Sequence, residues 1–125
     1  MAEVRFITHK GEEILYVDWS DSNSEEVLSL IKEARALIDA RLKGSILTLT
    51  NVTNVNLDPD AIRAVQLFTR DNKDYVAAAA LVGITEIQKI ILEGVAKFSE
   101  RNFKVFKALD EAKDWLVAQE RRLNL

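Results

Sequence analysis

The side chains able to do chemistry in this chain are few. Its 125 residues include one histidine, His9, and no cysteine. Thiolate nucleophiles, iron–sulfur clusters, thiolate zinc sites and disulfides are therefore excluded. A catalytic histidine needs a positioned partner with which to exchange a proton; His9 sits beside a turn, where an exposed strand end is its expected role. A transition-metal site would have to be built from carboxylates. Asp58 and Asp60 are close in sequence but lack the further ligands of a calcium loop. The chain has no Gly-rich phosphate loop and no nucleophile elbow, and Ser99 has no base beside it. These residues describe a non-catalytic protein with no cofactor and no metal.

Two segments are better suited to binding. Asn51, Thr53, Asn54 and Asn56 crowd amides and a hydroxyl into a stretch that ends in Asp58-Pro59-Asp60. Gly83-Ile84-Thr85 sets a glycine just before a helix start, whose free N–H groups can accept an anion. In open α/β sheets, ligands lie beyond the carboxyl ends of the parallel strands. If both segments follow such strands, they form one rim. The same residue types also serve as plain turn and cap residues, and for Asp58 and Asp60 starting a helix is the expected role.

The elements that would position this rim follow from hydrophobic spacing. Residues 4–9 and 13–19 read as strands joined by Lys10-Gly11-Glu12, with Gly11 supplying the positive φ of a hairpin. Ser22 and Glu25 fit a capping box for a helix whose apolar positions are Val27, Leu28, Ile31, Ala34, Leu37 and Ile38, with Gly44 as its C-cap. A third strand covers residues 45–52. Asp58 then caps a helix with Pro59 in its first turn and Ile62, Val65 and Phe68 on its buried face, with Ala61, Ala64 and Leu67 at the margins. Residues 75–83 read as a strand, although the run Ala77 to Ala80 favours a helix by propensity. Thr85 and Gln88 open a third helix along Ile87, Ile91, Val95 and Phe98. A short strand at 103–106 precedes a closing helix marked by Leu109, Ala112, Trp115 and Leu116. The order ββαβαβαβα implies a single α/β domain over residues 1–125, with a mixed, mostly parallel sheet and helices packed on it.

Composition agrees. Hydrophobic residues make up 48% and charged residues 30%, as in an ordinary globular chain. Seventeen basic residues against 20 acidic ones leave a net charge of −3, which argues against nucleic acid as a partner. The longest uncharged run, residues 44–57, is half polar and too short to span a bilayer. No basic segment followed by an apolar stretch opens the chain, so a cytoplasmic protein without a transmembrane segment is expected.

The order of elements, read with Ile14-Leu15-Tyr16-Val17-Asp18, residues 47–53, Val82-Gly83-Ile84-Thr85 and the 106–116 segment, resembles the STAS superfamily, the fold of anti-sigma-factor antagonists. Within it the chain looks most like the SpoIIAA-like branch, often grouped with Sec14-type lipid-binding domains. The resemblance covers nearly the whole chain. It implies a regulatory module that acts through protein contacts, with an unidentified protein partner at the 51–60 rim. The alternative it implies is a Sec14-like carrier of a small apolar or anionic ligand. In the antagonists, an Asp opens the loop after the third strand and a phosphorylatable Ser lies at the next helix start. Here Asn51 takes the place of that Asp, and no Ser lies between Ser45 and Ser99. A phosphoserine switch is accordingly not expected.

Small side chains in the alanine strand let a helix pack close, or leave room for a ligand between the layers; dense protein interiors favour close packing. For the carrier reading, Ile84, Ile87, Ile90, Ile91, Phe98 and Phe103 would line a cavity. Tyr16 and Trp19 fall on opposite faces of the hairpin, so one of them is expected at the surface. With Ile90 and Leu92 outside the main helical stripe, this points to a homodimer.

Overall fold

The structure, a computed structural model, describes residues 2–119. Its elements are β1 (Glu3–His9), β2 (Glu12–Asp18), α1 (Ser24–Asp39), β3 (Ile46–Asn51), α2 (Pro59–Asp71), β4 (Val76–Val82), α3 (Glu86–Ser99), β5 (Lys104–Phe106) and α4 (Leu109–Val117). This is the expected order. Lys10 and Gly11 both have positive φ, 51° and 81°, as a tight two-residue hairpin requires. β1 and β2 therefore pair antiparallel, from Glu3↔Asp18 to His9↔Glu12. β2–β3, β3–β4 and β4–β5 are parallel, and the sheet order is β1-β2-β3-β4-β5.

Strands that are neighbours in both sequence and sheet, joined by crossovers of one hand, place their helices on one face. Val27, Ile31, Ala34 and Ile38 of α1, Val65 and Phe68 of α2, and Val95 of α3 accordingly share a core with Leu15, Val17, Trp19 and Ile46. The opposite face is covered by α4, whose Ala112 and Leu116 pack with Ile14, Leu47, Leu49, Ala80 and Val82. The alanine run does lie in a strand. Its helix propensity is overridden by pairing on both sides, with β3 and β5. Ala78 and Ala80 lie on the α4 side, and with no long side chain between them α4 rests directly on β3 and β4. On the other face α2 and α3 pack against each other and make few close backbone approaches to the sheet.

Several local expectations are corrected. The first capping box is Asn23 with Glu26: Asn23 Oδ1 accepts from Glu26 N–H at 3.0 Å and Glu26 Oε1 accepts from Asn23 N–H at 3.3 Å. The left-handed Asp21 (φ 59°) turns the chain so that Ser22 points inward and is buried. Leu30, not Leu28, belongs to the buried face, because Leu28 lies on the flank of the Val27–Ile31–Ala34–Ile38 row. α1 ends at Ala40, so Gly44 is a loop residue whose N–H donates to Asp74 O at 2.9 Å. Fully buried Ala61 replaces Ile62 on the inner face of α2. Along α3 only Val95 and Ser99 are buried, and Ile87 is 76% exposed, because this helix packs on α2 and not flat on the sheet. The two hairpin aromatics do lie on opposite faces, and neither is fully exposed. Trp19 is buried on the α1–α3 side, and Tyr16 is half-buried on the α4 side.

Ala80 is fully buried beneath α4. Replacing Ala80 with Leu is expected to lower unfolding stability by about 1–3 kcal/mol through overpacking, read as a lower urea midpoint. An unchanged midpoint would mean that α4 does not press on the strand.

Candidate functional site

Where α2 and α3 stand away from the sheet, they leave a cavity of about 130 Å³. Its floor is a cross-strand row, Val17 of β2, Thr50 of β3 and Leu81 of β4, with Thr48 beside it. Val65 and Phe68 of α2 and Ile91, Leu92 and Val95 of α3 form the opposite wall. Val52, Val55, Ile84 and Gln88 line the end at the carboxyl edge of the strands; Ile38, Asn72, Arg101 and Phe103 line the other. Thr48 to Val52 spans roughly 13 Å of strand, so the space is elongated. The walls are mostly apolar and one side opens to solvent.

Three polar features stand out. Trp19 is 5% exposed, and its indole Nε1 has no hydrogen-bond partner among the described residues. Gln88, the N3 residue of the α3 capping box, uses Nε2 to donate to the carbonyls of Val52 (3.3 Å) and Val55 (3.4 Å), fastening the loop to the helix. Arg101 is half-buried, and desolvation lowers its pKa to about 10, so it remains charged at neutral pH.

Of the isoleucines and phenylalanines expected around a cavity, Ile84, Ile91 and Phe103 line it. Ile87 and Ile90 face outward, and Phe98 instead carries the guanidinium groups of Arg63 (4.7 Å) and Arg70 (5.6 Å) over its ring. Sequence reasoning missed Thr48, Thr50, Asn72 and Arg101. The two threonines did leave a signal, small polar residues alternating on the helix-facing side of a central strand. Arg101 left none.

The two rim segments meet. Gly83 has φ 90°, and a Cβ there would fall 2.3 Å from Thr53 Oγ1 and 2.6 Å from its backbone N. Asn51 Oδ1 accepts from Thr53 Oγ1 (2.7 Å) and Thr53 N–H (3.1 Å), and Asn51 Nδ2 donates to Tyr16 OH (3.4 Å). Asn51, Thr53 and Gly83 line a shallow open groove with Lys107, Leu109 and Asp110. The other expected rim residues lie elsewhere. Asn54, left-handed at φ 55°, donates through Nδ2 to Asp21 Oδ1 at 3.0 Å. The Asn56 N–H reaches Ser22 O, and Asp60 is exposed in the first turn of α2. Asp58 caps α2 through Ala61 N–H (2.8 Å), and Thr85 caps α3 through Gln88 N–H (3.3 Å).

His9 Nε2 lies 2.7 Å from Asp114 Oδ1, and Lys10 Nζ lies 2.9 Å from the same oxygen. This exposed contact ties the hairpin to α4. The hydrogen bond from His9, then that from Lys10, holds the Asp114 carboxyl below its ordinary pKa of 3.8. Among the described residues, no three His, Cys, Asp or Glu side chains are grouped to hold a metal ion, and no helix is long and apolar enough to cross a membrane.

No protein-family model matches this sequence, and no curated protein matches it. Among solved structures the chain is similar to an uncharacterised DUF3478-family protein with a SpoIIAA-like fold from Shewanella loihica PV-4. The TM-score is 0.73 at 16% sequence identity, covering 93% of this chain and 95% of that one. The fold of this chain is thus SpoIIAA-like, as the residues of its strands and helix starts implied.

Two outcomes follow from the rim and the hairpin. Replacing Gly83 with Ala drives a methyl group into the Thr53 backbone at a positive φ; we expect a loss of about 2 kcal/mol or more in urea unfolding, and a neutral effect would refute the contact. Because the folded pKa of Asp114 is depressed, its contribution to stability is present above the ordinary carboxylate range and fades as pH falls through the folded value. In an NMR titration Asp114 should have its midpoint below 3.8, and His9→Ala combined with Lys10→Ala should return it to the ordinary range.

Proposed function

We propose that this chain is a non-catalytic binding protein for a small, mainly apolar molecule held between the sheet and the α2–α3 pair. The observation that carries this reading is the cavity of about 130 Å³ with its open side. Interiors are close-packed. The open apolar walls, among them Val17, Leu81, Val65 and Ile91, are left to water, and an apolar molecule seated between them would remove that surface from it. The Sec14-like alternative is therefore preferred to the regulatory module.

A second reading has its own observation. Ile87 and Ile90 are 76% and 72% exposed on the outer face of α3. Apolar side chains so exposed favour contact with a protein partner. The rim amides are less available for that role, since Asn51 and Asn54 are already tied to Thr53 and Asp21.

The first measurement is a native mass spectrum of gently purified protein, which should show an extra non-protein mass lost on denaturation. With that mass removed, octanol should change the fluorescence of Trp19 in a Trp115→Phe background that leaves a single tryptophan. Thr50→Leu, which fills the floor, should raise stability by about 1 kcal/mol and weaken octanol binding at least tenfold. Wild-type protein that binds no octanol would sink the proposal.

A further inference from the structure

The ligand-binding reading leaves the head group of the ligand open, and Arg101 bears on it. Glu100, left-handed at φ 55°, ends α3, and the Arg101 N–H donates back to Ala96 O at 2.9 Å. That reversal returns the side chain to the end of α2. There Nη1 donates to Thr69 O at 2.9 Å and to Asn72 Oδ1. The guanidinium lies over the Phe103 ring, 5.0 Å from its centroid. Its plane is thus fixed by contacts that engage only Nη1.

Nε and Nη2, which share one edge of the guanidinium, have no hydrogen-bond partner among the described residues, and no described carboxylate pairs with the group. That edge keeps some contact with solvent, but the guanidinium as a whole is half-buried and an anion there would offset its partial desolvation. A two-donor edge of this kind matches the two oxygens of a carboxylate. At this end of the cavity Asn72 Oδ1 is already engaged by Arg101, and Gln88, at the other end, is spent on the Val52 and Val55 carbonyls.

We infer that the cavity takes a monocarboxylate amphiphile, its carboxylate on the Nε–Nη2 edge of Arg101 and its hydrocarbon chain running past Thr48 and Thr50 toward Val52 and Ile84. This rests on the binding function proposed above, and octanol separates the failure of one from the failure of the other.

The test is calorimetric titration of ligand-stripped full-length chain with octanoate, octanol and octyl phosphate. Octanoate should bind about tenfold more tightly than octanol, the worth of a charge-assisted contact. Arg101→Gln and Arg101→Lys should each abolish that preference while leaving octanol affinity within about twofold. Because Arg101 also caps α2, urea unfolding of both variants checks the fold, and Arg101→Lys retains the charge. In wild-type complex, carboxyl-labelled octanoate should titrate below its free value by NMR, and in Arg101→Gln it should not. Equal binding of octanol and octanoate, or a preference that survives both substitutions, overturns the carboxylate assignment but leaves the apolar site. Tighter binding of octyl phosphate overturns it in favour of a phosphate head. If none of the three binds, both proposals fall.

Discussion

Crossovers of one hand between strands adjacent in sequence and in the sheet commit α1, α2 and α3 to the same face. Most of what is particular to this molecule follows from that crowding. α1 sits beside the hairpin, where Arg41 lies over the Phe6 ring at 3.9 Å and binds Glu13 at 2.7 Å. α2 and α3 lie farther along and lean on each other, through pairs such as Phe98 with Arg63 and Arg70. The single helix on the other face has no such competitor, and α4 settles onto β3 and β4.

Side-chain size reinforces this difference. Toward α4, β4 presents Ala78 and Ala80 next to Leu47 and Leu49 of β3, and α4 packs directly on both strands. Toward α2 and α3, Thr48 and Thr50 are too short to reach the raised helices, whose Val65, Phe68 and Val95 reach the core only in places. The close packing thus belongs to the alanines of β4, whereas the space opposite is floored by the threonines of β3, with no alanine among the described residues that line it.

The polar groups around that space are held by backbone geometry. Gln88 ties the loop after β3 to α3, and Gly83 allows β4 to turn against Thr53. At the far end, the left-handed Glu100 sends Arg101 back across the end of α2. Each of these residues is remote in sequence from its partner. The site is therefore a product of how the crossovers end.

Sequence by itself determined the elements, their order and the parallel sheet, because turn and cap chemistry is local: Lys10-Gly11, Asp58-Pro59 and Thr85 with Gln88 act within a few residues of themselves. It also brought the 51–60 and 83–85 segments to one edge, since strand direction fixes where loops emerge. It misplaced the first capping box by one residue, and it took Ile87, Ile91, Val95 and Phe98 of α3 for one buried stripe, of which only Val95 is buried. Periodicity reports which residues are apolar and does not report how far a helix stands from its sheet. Only the tertiary structure decided that Ile87 faces outward while Ile91 lines a cavity. The same holds for Arg101, whose place in the wall depends on where α2 ends, some thirty residues earlier in the chain.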